Sequence, residues 1–245
     1  MRPRLLTAAG AVAGLREGAV VATGGAVLNR KPMALVRALA EAGRPLELVT
    51  FLASTDADAL AKAGVLRRLT ATYCGLERGG WAAAFERAVA DGRTEWAETS
   101  EWLLLDGFRA AAMGLPFLPG RSGRGTELPA SRALREVADP YTGEVFAAHP
   151  AIRPELALIH AWRADEEGNV QLPFPPDHLW DVDLQLARAA RRTVVSVEEM
   201  VPVEEVRRTS HLTRLTRLEV DGVVLAPGGA HPTACRPCYE ESLGR

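Results

Sequence analysis

A carboxylate occupies the second position of "SEWLLLDGFRAAAMGLPFLPG" (residues 100–120), which otherwise reads as an amphipathic helix running into a proline-bounded loop. At about 100° per residue, Leu104, Leu105, Phe108, Ala111 and Ala112 fall in one stripe with Glu101 in its middle, while Asp106 and Arg109 lie on the other side. Glu101 is therefore either a first-turn carboxylate in water, worth about 0.3–1 kcal/mol against the helix dipole, or an acid aimed into a pocket. In an apolar groove an unpaired ionised carboxylate is costly, so its pKa rises toward neutrality. Such a group suits a base that activates water, or a protonated acid that donates to a carbonyl oxygen.

Gly24 and Gly25, in "TGGAVLNRKP", follow an apolar run and precede a helix start. Their backbone N–H groups could face an anion or a developing oxyanion, although two glycines making a tight turn explain the pair equally well. The stretch has neither the G-x-G-x-x-G spacing of a dinucleotide site nor the G-K-[ST] of a P-loop, so neither nucleotide reading holds. Near the end of the chain, "GGAHPTACRPC" offers His231, Cys235 and Cys238 at spacings that zinc could use. No second C-x-x-C pair closes a tetrahedron, so the expectation is no metal and reduced loop cysteines. His160, Arg163 and Asp165 stand at a strand end before the turn Glu166–Asn169, where an Arg–Asp pair pinning the turn is the simplest reading. No Ser/His/Asp or Cys/His arrangement with a nucleophile elbow is visible.

These groups need elements to position them. "GAVVATGG", "LELVTFLA", "VLRRLTATY", "ELALIHAW", "TVVSVEEMV" and "RLEVDGVVLAP" read as strands. "PMALVRALAEAG", "DADALAKAG", "GWAAAFERAVADG" and "LWDVDLQLARAARR" read as helices, the first opened by Pro32 and closed by Gly43. The alternation predicts one α/β domain over 1–245: an open, mostly parallel sheet with helices on both faces. "GLPFLPGRSGRGTELPA" (114–130) interrupts the pattern and reads as a long functional or interface loop. The 29 basic and 31 acidic residues leave a formal charge of −2 with no like-charge block, which argues against nucleic-acid or membrane partners. No signal-type or membrane-spanning apolar run occurs, and three cysteines in 245 residues make no disulfide framework; a cytoplasmic setting is expected.

In order and spacing, "VVATGGAVLNRKPMALVRAL", "TATYCGLE", "ETSEWLLLDGFRAAAMGLPFLP" with "GRGTEL", "DPYTGE", "PELALIHAWRADEEGNV", "VVSVEEMV" and "VVLAPGGAHPTAC" resemble the A subunits of family I CoA transferases, closest to the glutaconate CoA-transferase type. The resemblance spans nearly the whole chain. It implies a CoA-transferase-like open α/β fold and a heteromeric, heterotetrameric enzyme that takes acyl-CoA and carboxylate substrates. Coenzyme A is then a substrate, with no other cofactor. By the same resemblance the nucleophilic glutamate would belong to the partner B subunit, and this chain alone should be inactive. On the A side, Gly24, Gly25 and Glu101 would line the active site, with Tyr73, Gly75 and Glu77 near the acyl group. The "EW" and "LPFLP" of residues 101–119 also resemble the A subunits of hydrolases that open the last steroid ring as a CoA ester. There the A-subunit glutamate takes part in catalysis, so a ring-opening or thioester hydrolase with Glu101 as general base is the alternative. A non-catalytic effector-binding domain of the same fold is a third reading, disfavoured by the lack of a helix-turn-helix segment or basic patch.

Overall fold

The structure is a computed structural model that describes residues 4–177 and 179–243. In chain order the elements are β1 (Arg4–Leu5), α1 (Ala8–Val12), β2 (Ala19–Ala26), α2 (Met33–Ala42), β3 (Leu46–Ala53), α3 (Thr55–Lys62), β4 (Leu66–Ala71), β5 (Tyr73–Cys74), α4 (Ala83–Ala90), β6 (Glu95–Glu98) and α5 (Glu101–Ala112). They continue with β7 (Phe117–Gly120), α6 (Leu128–Ser131), β8 (Arg135–Ala138), β9 (Val145–Pro150), β10 (Leu156–Ala164), β11 (Val170–Gln171), α7 (Trp180–Ala189), β12 (Thr193–Met200), α8 (Val203–Arg208), β13 (Thr213–Leu215) and β14 (Gly222–Leu225).

The main sheet runs β1-β14-β12-β10-β2-β3-β4-β6, parallel throughout. β5 adds to β3 in parallel, and β11 and β13 hang antiparallel from the end of β10. Its central strands are nearly continuous apolar runs, as strands covered on both faces must be. One face carries α1 to α4, which bury Leu35, Val36, Leu39, Leu60 and Phe85 against Leu48 and Leu69 of the sheet. On the other, α5 and α7 bury Leu104, Phe108 and Leu186 against Ile159 and Val195. The expected open, mostly parallel α/β sheet with helices on both faces is present. Pro32 directly precedes α2, and Gly43 closes it in the left-handed region, its N–H returned to the Ala40 carbonyl.

From β2 the chain winds outward through β3, β4 and β6, then returns to lay β10 against the opposite side of β2. The crevice beyond the C-terminal ends of β2 and β10 is therefore the topological switch point, where open α/β sheets bind ligands.

Two expectations need correction. Residues 114–130 are not a structureless loop: they contain β7 and α6, and β7 pairs with β9 in a separate antiparallel sheet of order β7-β9-β8. Pro119 disguised β7, but β7 is an edge strand, the place in a sheet where proline is tolerated. The late strand is shorter than "RLEVDGVVLAP": only Gly222–Leu225 pairs, because residues 216–221 make a turn tied down by Glu219 to the Thr216 amide and hydroxyl.

Candidate active site at the C-terminal edge of the sheet

β2 ends in a bulge. Its pairing with β3 shifts register between Thr23 and Ala26, and Gly25 sits there at φ +72°. A Cβ on Gly25 would stand 2.5 Å from the carbonyl oxygens of both Asn29 and Arg30, and one on Gly24 would stand 2.5 Å from Asp183 Oδ1. Both glycines are thus required by close approach. The Gly25 N–H is not directed at open crevice: it donates to Asp183 Oδ1 at 2.8 Å. Beyond the bulge, Ala26 and Asn29 exchange two backbone hydrogen bonds of 2.9 Å around a tight turn in which Val27 takes φ +45°. A β-branched residue there is strained, and such strain gathers at ligand sites.

The following "NRK" reads as a short basic loop, yet Arg30 is 1% exposed and Lys31 0%. Arg30 donates through Nη1 to Asp183 Oδ2 (2.7 Å) and to the His160 carbonyl (3.1 Å), and through Nε to Asp177. Burial works against its charge, but Asp183 and Asp177 outweigh it and hold its pKa above the ordinary arginine value. Lys31 Nζ meets Asp56 Oδ2 at 3.0 Å and Thr50 Oγ1 at 2.9 Å. Burial also opposes the Asp56 charge, and Lys31, the Ser54 amide and the Thr23 hydroxyl overcome it, leaving its pKa below the usual carboxylate range. The loop is basic because it threads two buried acids, a context that local charge patterning does not reveal.

Glu101 is the first residue of α5. The side chain of Ser100 caps the helix by accepting from the Leu103 N–H at 3.2 Å, and its hydroxyl also meets Ser122 at 2.6 Å. In this chain Glu101 is exposed, which corrects the apolar groove expected around it. The buried face of α5 is Leu103, Leu104, Gly107, Phe108 and Ala110, a stripe centred to one side of the one anticipated, so Glu101 lies at its margin. Trp102 beside it is 59% exposed. Asp106, assigned to the solvent face, instead meets the buried His149 at 2.9 Å, while Arg109 donates to Gln185 of α7 at 3.1 Å. Tyr73 is on β5, paired with Leu52 at the end of β3 and 38% exposed. The Tyr73 ring folds over Gly75: a Cβ there would stand 2.2 Å from the Tyr73 hydroxyl, so the ring would have to swing aside. Glu77 is exposed at φ +48° on the following 3₁₀ turn. Gly24, Gly25, Tyr73, Gly75, Glu77 and Glu101 therefore all lie at or just beyond the C-terminal ends of β2, β3, β4 or β6 and share one edge of the sheet.

A second polar cluster lies midway along β10 and at residues 196–198 of β12, so His160 is not at the strand end expected for it. Buried His160 bonds Ser196 Oγ through Nδ1 (2.9 Å) and Glu198 Oε1 through Nε2 (2.7 Å). Glu198 also accepts from the Tyr239 hydroxyl (2.6 Å) and the Gly228 N–H (2.7 Å). Burial raises the Glu198 pKa, but the bonds from His160, Tyr239 and Gly228 prevail and bring it down to about 2. For His160 burial dominates and lowers the pKa despite Glu198. His231, grouped with the cysteines by sequence spacing, instead stacks on Tyr239 at 4.2 Å. The ligand atoms of His160, Glu198 and Cys235 lie within 4.8 Å of one another, yet both His160 nitrogens and both Glu198 oxygens already have protein partners. The expected Arg163–Asp165 pair does not form: Asp165 accepts from Asn169, and Arg163 reaches Gln171 and Thr209.

The coenzyme A transferase family model matches residues 5–225. The chain belongs to the coenzyme A transferase family. Among its relatives, the IpdA subunit of the cholesterol ring-cleaving hydrolase of Mycobacterium tuberculosis is 35% identical over 243 residues, covering 94% of this chain and 81% of that one. Solved structures carry the same fold: a variant of the decarboxylase AibA/AibB matches at TM-score 0.89 and 35% identity, over 99% of this chain and 90% of that one. The glutaconate coenzyme A-transferase of Acidaminococcus fermentans matches at TM-score 0.88 and 27% identity, over 98% and 80%. The chain spans about half the length of another relative, from Archaeoglobus fulgidus, which is 35% identical over 225 residues, with 89% of this chain and 48% of that one aligned.

Proposed function

We propose that this chain is the A subunit of a heteromeric CoA transferase that moves CoA between an acyl-CoA and a carboxylic acid, and that a B-type chain supplies the nucleophilic glutamate. The observation that carries the reading is the gathering of the glycine bulge, the Tyr73–Glu77 segment and Glu101 at the C-terminal edge of four adjacent strands, in a member of this family. The partner carboxylate attacks the thioester carbonyl and releases CoA thiolate, leaving a mixed anhydride. The thiolate then attacks the glutamyl carbonyl and releases the first carboxylic acid, leaving a glutamyl-CoA thioester. The second acid reverses both steps. In this chain the tight backbone at Gly24–Gly25, the Tyr73 hydroxyl and Glu101 shape the pocket for the carbonyl whose charge develops.

Hydrolysis is the second reading, favoured by the exposed carboxylate of Glu101 at the start of α5 and by the 35% identity with a ring-cleaving hydrolase subunit. Glu101 would then be the base that activates water. To separate the two, the assembled enzyme is incubated with acyl-CoA and a labelled carboxylate, and a parallel sample is quenched with borohydride. Transfer of CoA to the labelled acid, and reduction of a partner glutamate to its alcohol, are expected. Release of free CoA or a ring-opened product, without exchange and without a reducible glutamyl thioester, would replace the transferase reading by the hydrolase one.

A further inference from the structure

The glycine bulge is held from the face of the sheet that carries α5 and α7. Asp183, on the first turn of α7, is 2% exposed and divides its two oxygens between the Gly25 N–H (Oδ1, 2.8 Å) and the Arg30 guanidinium (Oδ2, 2.7 Å). Arg30 in turn grips the His160 carbonyl midway along β10 and Asp177 before α7. The same helix reaches α5 through Gln185, which accepts from Arg109 at 3.1 Å, two turns beyond Glu101. α7 thus ties the end of β2 and the helix that starts with Glu101 to one rigid element.

We propose that Asp183, clamped by Arg30, is a positioning residue that sets the Gly24–Gly25 backbone at the substrate-facing edge and fixes its distance from Glu101. This rests on the functional reading above. A neutral amide at 183 cannot replace the carboxylate. Its one oxygen can accept from Gly25 or from Arg30, and its NH₂ must then face the other donor. Either way the bulge loses one side of its clamp.

The test uses the assembled two-chain enzyme with D183N, and with D181N as control, since Asp181 is exposed on the same turn. Steady-state kinetics with an acyl-CoA substrate are read beside hydrogen exchange of the segment spanning residues 19–32. In D183N we expect kcat to fall by about 10²-fold, the size of losing one preorganised polar contact in an active site, with KM and assembly close to wild type. Exchange at Gly25 should accelerate, and D181N should match wild type in both measurements. If D183N does not assemble, R30K takes its place: lysine keeps the charge but cannot span Asp183, Asp177 and the His160 carbonyl together, so the same kcat loss is expected. Unchanged kcat, or a loss no larger than the loss of assembled enzyme, would overturn the positioning role. A wild-type complex inactive on every CoA ester would instead remove the functional reading, and this proposal with it.

Discussion

Glu101 has a side chain that no described residue engages by hydrogen bond or ion pair, at the start of a helix already capped by Ser100. Its two roles diverge under substitution. If Glu101 hydrogen-bonds to the thioester, E101Q keeps substantial activity in the assembled enzyme and E101A loses it, since the amide still offers a donor. If it activates water, both variants lose roughly 10²-fold or more in kcat with substrate binding preserved. Wild-type rates for both would leave it as a helix-start carboxylate, worth under about 1 kcal/mol. His160 makes a separate prediction. Its folded pKa is lowered by burial, so the unfolded chain binds the extra proton first as pH falls. The stability this represents is complete above the ordinary histidine value of about 6.5 and is lost below it. Thermal melts should therefore decline from pH 7.5 to 5.5, and H160Q should flatten that decline while lowering the melting temperature at pH 7.5. Parallel curves for the two proteins would assign the acid sensitivity elsewhere.

Between residues and fold, the connection from β2 to α2 concentrates the strain and the buried charge. Gly25 shows how the structure changes an expectation. With its N–H facing an oxyanion, it would lose activity far more than stability on substitution. With φ at +72° and two carbonyl oxygens 2.5 Å from any Cβ, G25A should instead cost more than about 2 kcal/mol of stability, and activity should fall with it. A G25A protein as stable as wild type in urea would show that the bulge relaxes. Lys31 belongs to the same connection. K31M strands Asp56 without its cation in a fully buried position, and about 3–5 kcal/mol should be lost. K31M with D56N should recover part of that loss, and equal unfolding midpoints for K31M and wild type would refute the pairing. The helix start at Pro32, its stop at Gly43 and the alternating units were legible in the sequence, because capping chemistry and period are local. Burial of Arg30 and Lys31 was not: their partners Asp183, Asp177 and Asp56 lie 25 to 153 positions away, and only the fold brings them together. His160 was read as a strand-end residue, yet β10 runs on to Ala164 and places it mid-strand; its partners Ser196 and Glu198 come from the parallel neighbour, whose register with β10 is equally non-local.

At the scale of the molecule, the sheet order gathers Gly24, Gly25, Tyr73, Gly75, Glu77 and Glu101 at one edge, and that edge carries exposed aromatics. Tyr73, Trp81 and Trp102 are all exposed there, Trp81 by 72%. The antiparallel β7-β9-β8 sheet adds a projection with little core of its own: β8 and most of β9 are not buried, and Tyr141 between them is 95% exposed. A three-stranded sheet needs a packed face to be stable, and clustered exposed aromatics mark surfaces meant for a partner. The expectation is that the chain expressed alone self-associates and turns over no acyl-CoA. With its B-type partner it should form a complex that buries more than about 1,000 Å². Hydrogen exchange should then slow at residues 73–81 and 101–105, where the aromatics and Glu101 become covered. Mutating Trp102 to Ser should weaken assembly more than it lowers the melting temperature of the single chain, because its indole is exposed there. Turnover by the purified single chain at the rate of the complex, or protection confined to the opposite edge of the sheet, would place the partner and the active site elsewhere.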